Sequence, residues 1–216
     1  MKKFICFLTL GALCFSASAQ DAGQFTLGIK GGAVFGIHIS GAYTYNAYEE
    51  AYYPKINPVF GVYGAYSFFN RFSLQAEVDV MLNQGKEWGF YDGTRRTWAY
   101  SSIDIPILAR YAFFYETGLL GLIVGPHLSI PVGKMKKVCS DGADDGEFDI
   151  SGITWGITTG FFGGYKAGPG RFFGELRLLY DLSMVWANIN YSGATEEEDI
   201  LQRWAPAVTV GYEISL

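Results

Sequence analysis

The chain has almost no cysteine, almost no histidine, little basic charge and, beyond its first fifteen residues, no long hydrophobic run. Of its three cysteines, Cys6 and Cys14 fall in the N-terminal apolar stretch, which leaves Cys139 alone and excludes a disulfide-stapled fold. With only His38 and His127 available, no Cys/His cluster has the spacing of a metal site, and no glycine-rich phosphate loop is present. The missing hydrophobic runs exclude membrane-spanning helices, which need about 20 consecutive apolar residues. Sixteen basic residues against 21 acidic ones give a net charge of −5 with no basic stripe, which argues against a nucleic-acid partner.

What is present is hydrophobicity in alternation. Half the residues are hydrophobic and 17% aromatic, with 28 glycines and only 17% charged. From Phe72 to Leu82, Leu74, Ala76, Val78, Val80 and Leu82 share one face, while Ser73, Gln75, Glu77, Asp79 and Met81 share the other. A period of two with both carboxylates on one side is a strand with a wet face and a greasy face. The division recurs in Ile103, Ile105, Ile107, Ala109 and Tyr111 against Ser102, Asp104, Leu108 and Arg110. It recurs again in Leu176, Leu178, Tyr180 and Leu182 against Glu175, Arg177 and Asp181.

The same pattern predicts eight strands, at about 25–37, 58–68, 72–82, 99–113, 118–130, 150–165, 171–184 and 203–216. The connections between them alternate between long (38–57, 83–98, 131–149, 185–202) and short (69–71, 114–117, 166–170). An even strand number, with long loops at one end and short turns at the other, describes an all-β, eight-stranded antiparallel up-and-down transmembrane β-barrel with both termini periplasmic. A soluble barrel would have the same period with its faces reversed. Loop asymmetry and aromatics near strand ends (Phe25, Trp98, Tyr111, Phe113, Phe172, Trp204, Tyr212) favour the membrane, where such residues form interfacial belts.

Both ends of the sequence agree. Lys2-Lys3, an apolar stretch from Phe4 to Phe15 and Ala17-Ser18-Ala19 predict a signal peptide over 1–19 and a barrel domain over 20–216. Removing Lys2 and Lys3 takes the net charge from −5 to −7. The closing residues, with Thr209, Gly211, Ile214 and Leu216 at the marked positions, resemble the terminal-strand assembly signal of bacterial outer-membrane barrels.

A family resemblance extends from Phe25 to Leu216. Ile103-Asp104-Ile105-Pro106-Ile107-Leu108-Ala109-Arg110-Tyr111 resembles a characteristic strand of the PorT-like outer-membrane β-barrels common in Bacteroidetes. Gly125-Pro126, the glycines of the sixth strand (Gly152, Gly156, Gly160, Gly163, Gly164) and the closing Gly211-Tyr212 are similar to that family as well. The resemblance implies an outer-membrane barrel. The family takes its name from a member linked to type IX secretion and gliding, which suggests a structural or interaction role as accessory to secretion or surface assembly.

The inward faces carry Lys30, Arg110 and Arg177 against Glu77, Asp79, Asp104, Glu175, Asp181 and Glu213, a surplus of three carboxylates. An eight-stranded lumen is just wide enough for side chains to fill it, so a paired structural polar network is expected, with a narrow pore or proton path as the alternative. His127-Leu128-Ser129 places an imidazole and a hydroxyl on one strand face and resembles the His-x-Ser of outer-membrane lipid A deacylases. No acidic residue follows it before Asp141, so a non-enzymatic protein without cofactor or metal is expected.

Partners are expected to be outer-membrane lipid, lipopolysaccharide, the assembly machinery and a protein of unknown identity. Asp141, Asp144, Asp145, Glu147 and Asp149 crowd one loop and Glu196–Asp199 another, but Ala143 and Gly152 break a calcium-loop register that starts at Asp141. Lys134, Lys136 and Lys137 could meet lipopolysaccharide phosphates. A first loop rich in tyrosine (Tyr43, Tyr45, Tyr48, Tyr52, Tyr53) has the composition of a contact surface.

Overall fold

The computed structural model describes residues 23–39, 49–69, 71–90, 93, 95–114, 118–142, 145–183, 185–191 and 194–216. The expected signal peptide, Tyr43, Tyr45, Tyr48 and Asp144 lie outside them. The strands are β1 (Phe25–Ile39), β2 (Glu49–Phe69), β3 (Phe72–Phe90), β4 (Arg95–Phe114), β5 (Gly118–Cys139), β6 (Gly146–Ser151), β7 (Thr154–Ala167), β8 (Gly170–Asp181), β9 (Val185–Tyr191) and β10 (Ala194–Ser215).

Eight of the strands close a ring in the order β1-β2-β3-β4-β5-β7-β8-β10, with β10 pairing back onto β1 and every pairing antiparallel. The other two are continuations. β6 meets β5 (Lys134↔Asp149) in the register that β7 keeps (Ser129↔Thr154), and β9 meets β6 (Ser151↔Trp186) in the register of β8 with β7 (Gly156↔Asp181). β6–β7 is therefore the sixth barrel strand and β8–β9 the seventh, each interrupted once. The stagger can be followed from Gln24, whose carbonyl accepts from Ser67, through Ser73, Arg110, Ile123, Gly160, Arg177 and Ala207. The path returns to β1 at Val34, ten residues further along. A shear of that size tilts strands roughly 35–45° and leaves a narrow interior.

Burial follows the alternation. Along β8 inward Phe173, Glu175, Arg177, Leu179 and Asp181 are buried, while Phe172, Leu176 and Leu182 are exposed. The outer surface is an apolar band, with Ile29 at 64%, Leu176 at 58% and Phe161 at 58% exposure. Edge-to-face aromatic pairs edge it: Tyr66 with Phe68, Tyr111 with Phe113 and Phe172 with Tyr212 at the turn end, and Tyr180 with Trp204 at the other. Trp155 and Tyr165 stand ten residues apart on one strand. At about 3.3 Å per residue and a tilt near 40°, that separation is about 25 Å, the height of a lipid-facing band.

The strands outrun their expected limits. β2 starts at Glu49, β3 runs to Phe90, β4 starts at Arg95 and β5 runs to Cys139, while the expected loop over 185–202 is a hairpin of β9 with β10. The expected long loops are therefore largely barrel wall extended beyond the apolar band. The reason is visible locally. Alternation continues through Met135, Lys137 and Cys139 inward against Lys134, Lys136 and Val138 outward, and beyond β3 and β5 a glycine stands in the left-handed region, Gly93 (φ 82°) and Gly142 (φ 67°).

A paired substitution tests this orientation. Leu176, midway between Phe172 and Tyr180 on the outer face of β8, is 58% exposed; Val138, on the extension of β5, is 50% exposed. Leu176→Arg is expected to lower folding stability in lipid vesicles by about 2–4 kcal/mol, and Val138→Arg to stay within about 0.5 kcal/mol, as ordinary surface substitutions do. Equal effects would mean that the band does not face lipid.

Candidate functional site

The barrel interior concentrates the charged chemistry, because every second residue of each strand points there and eight strands leave no room for solvent-filled space. All nine expected lumen residues, Lys30, Glu77, Asp79, Asp104, Arg110, Glu175, Arg177, Asp181 and Glu213, are buried inside. They form three clusters in contact with one another: Gln75 accepts from Arg110 at 2.7 Å and donates to Glu77, joining the first to the second, and Asp79 of the second stands directly opposite Asp104 of the third across β3 and β4.

At the turn end, the Tyr63 hydroxyl donates to Glu213 Oε2 at 2.5 Å, Arg110 reaches the same oxygen at 3.3 Å, and Arg171 reaches Oε1 at 2.9 Å. Arg110 also lies 4.3 Å over the Phe162 ring, so its flat guanidinium is held between an aromatic face and a carboxylate. Gly28 makes room for this cluster: a Cβ there would sit 2.3 Å from the Tyr63 ring.

In the middle, Glu77 takes a two-pronged contact from Arg177, both at 2.6 Å, and a 2.5 Å contact from Lys30. Gln75 also donates to it. Lys30 reaches Asp79 at 2.8 Å, Arg177 reaches Glu175 at 2.7 Å, and Thr209 donates to Glu175 at 3.0 Å. Two cations face three carboxylates.

At the far end Arg203, 1% exposed, is the hub. It donates to Asp104 Oδ2 at 2.7 Å, to Asp181 Oδ1 at 3.0 Å from Nη2 and 3.2 Å from Nε, and to Gln84 at 3.0 Å. Ser102 and Ser129 both donate to Asp104 Oδ1, at 2.6 and 2.7 Å. His127 stands between Asp181 (Nε2, 2.8 Å) and Thr158 (Nδ1, 3.0 Å).

Apolar side chains pack among the clusters. Val34, Val59, Met81, Leu179, Ala205 and Ala207 form one group; Leu108, Ala112, Leu119, Ile123 and Phe162 form another, beside Tyr63, Ala65 and Phe173.

One expectation is corrected here, and two placements are added to it. The surplus of three carboxylates falls to one, because Arg203 and Arg171 join Lys30, Arg110 and Arg177 against six acids. Arg203 was legible: it shares a period-two face with Ala205, Ala207, Thr209 and Glu213. The tandem of His127 and Ser129 is not a hydrogen-bonded pair, since each side chain is engaged elsewhere and both are buried in the lumen. The three lysines beyond strand five do not share a face. Lys134 and Lys136 lie outside, opposite Asp149 and Glu147 at 3.8 Å each, whereas Lys137 is buried over the Trp98 ring at 5.5 Å.

The crowded acidic stretch is likewise dispersed, with Asp145 accepting from the Cys139 backbone N–H at 2.6 Å and no group of three metal-binding side chains among the described residues. Of the terminal-strand residues, Thr209 points into the lumen while Ile214 and Leu216 are exposed.

No curated protein matches the sequence. Among solved structures, the outer membrane protein OprG from Pseudomonas aeruginosa shares the fold with a TM-score of 0.59 at 12% identity, covering 92% of this chain and 99% of that one. A major outer membrane protein from Thermus thermophilus gives 0.51 at 9% identity, covering 89% and 99%. The family model described as outer membrane protein beta-barrel domain matches residues 16–185. The closed antiparallel barrel with its apolar outer band accords with that description, and this chain belongs to the family of bacterial outer-membrane β-barrels.

Proposed function

We propose that the protein is a non-enzymatic outer-membrane barrel of the PorT-like kind, whose extended outer strands receive a protein partner in secretion or surface assembly and whose lumen is a structural plug. The observation that carries this reading is the filling of the interior, where a connected network of buried charged side chains is packed together with buried apolar ones. A lumen built this way holds the wall rigid while the extensions present a surface. Burial of His127 and Ser129 inside the barrel supports the non-enzymatic part, because a lipid-modifying site must be reachable from lipid. Accordingly, overexpression is expected to leave the mass of lipid A unchanged; a change abolished by Ser129→Ala would overturn this.

The exposed Ile214 and Leu216 suit recognition by the assembly machinery from the lipid side, and outer-membrane lipid and lipopolysaccharide are the surrounding partners. The direct test is affinity purification in mild detergent from native outer membranes, with the tag at the exposed Gly142 turn so that β10 stays intact. A stoichiometric protein partner is expected; a barrel that purifies alone would contradict the interaction role.

A narrow pore is the second reading. Asp79 Oδ1, Glu175 Oε1 and Arg177 Nε are buried in the middle cluster with no hydrogen-bond partner among the described residues, and a thread of water or ions through that cluster would satisfy them.

A further inference from the structure

We infer that the fork between β6 and β9, beyond the apolar band, accepts an extended, lysine- or arginine-bearing segment of another protein as an added strand. The inference rests on the interaction role proposed above and names the place and chemistry of that interaction.

β6 and β9 pair only through Ile150↔Ala187 and Ser151↔Trp186. Both strands continue outward, and the same register would pair Asp149 with Asn188, Phe148 with Ile189, Glu147 with Asn190 and Gly146 with Tyr191. None of these four rows forms. Residues 146–149 of β6 bond to β5 and 188–191 of β9 bond to β10, so each strand is satisfied on one side and open on the side facing the other. Two strand edges in matching register, diverging from a common base, offer backbone donors and acceptors to an inserted strand. The base is not braced by β5: no pairing joins residues 130–133 of β5 to 150–153, and Gly133 (φ 79°) and Gly152 (φ 100°) lie within the interruption.

Charge identifies the occupant. Residues 182–202 contain no lysine, arginine or histidine, and Glu196–Asp199 of β10 lie directly beside β9, paired to residues 186–189. An inserted strand would lie on the other side of β9 from this stretch, two strand spacings or about 10 Å away, within reach of its field at low ionic strength. The acids of β6 contribute little to this field, since Glu147 and Asp149 are matched by Lys136 and Lys134. A cationic extended segment therefore gains backbone pairing from the fork and attraction from the net negative charge of this stretch, whereas an acidic one is repelled.

The test uses the full barrel in lipid nanodiscs and two fluorescein-labelled octapeptides, one alternating threonine with lysine and one alternating threonine with glutamate. Fluorescence anisotropy is expected to show saturable binding of the lysine peptide, at least about tenfold tighter than the glutamate peptide and weakened by salt. The double variant Glu147→Cys/Asn190→Cys, in a Cys139→Ala background, closes the fork by a disulfide. Oxidation should abolish lysine-peptide binding and reduction should restore it. Absence of saturable binding, equal binding of both peptides, or binding indifferent to closure would each overturn the proposal. Should the closed variant still retain a native partner on affinity purification, the interaction role stands and the fork is not its site.

Discussion

Arg203→Ala is expected to lower the stability of the folded barrel by about 3–5 kcal/mol, the usual cost of removing one partner from a buried ion pair. The guanidinium bonds both Asp104 and Asp181 and also holds Gln84, so its loss takes from two buried carboxylates the cation they share. Urea unfolding of protein inserted in lipid vesicles, followed by tryptophan fluorescence, reads the change directly. Arg203→Lys should fall between the two, since it restores a charge but cannot reach Asp104, Asp181 and Gln84 at once as a planar fork does. A loss below about 1 kcal/mol for the alanine variant would mean that water solvates both carboxylates and that the lumen is open.

Glu77→Leu is expected to be nearly as damaging, at about 3 kcal/mol or more, because it takes from Lys30 and Arg177 the acceptor that both share. The informative experiment is the double-mutant cycle with Arg177→Met. Removing both partners leaves Lys30 facing Asp79 and Glu175 keeping its bond from Thr209, so the double variant should recover at least about 1 kcal/mol relative to the sum of the singles. Strict additivity would show that the two side chains do not act as a unit, and the middle cluster would then not brace the wall.

Much of this arrangement was legible before any coordinates. The period-two patterns around Leu74–Leu82, Ile103–Tyr111 and Glu175–Leu182 assigned lumen and lipid faces that match the burial of those residues, because in a barrel the two environments differ at every successive position. Strand ends were less legible. Once a strand leaves the apolar band its outward residues become polar, as Lys134 and Lys136 do, and the hydrophobic signal that marked it as a strand disappears while its backbone pairing continues. The interruptions at Gly152 and beyond Asp181 were hidden for a related reason: a break in register-preserving strands leaves the alternation intact on both sides.

Within the lumen, the individual charged residues could be placed but their partners could not. Which acid meets Arg203, on β10, depends on β4 and β8, 99 and 22 residues away in the chain. That pairing is fixed by the closure and stagger of the ring. The partners of His127 and Ser129 were hidden for the same reason: Ser129 donates to Asp104 on β4, and His127 meets Thr158 on β7 and Asp181 on β8.

The most direct test of the plugged barrel is single-channel recording of the purified protein in planar bilayers. A silent membrane at protein amounts that confirm insertion is the expected result, and Arg203→Ala is expected to introduce leak. Discrete, repeatable openings from the unaltered protein would contradict the plug and establish the lumen as a conducting path.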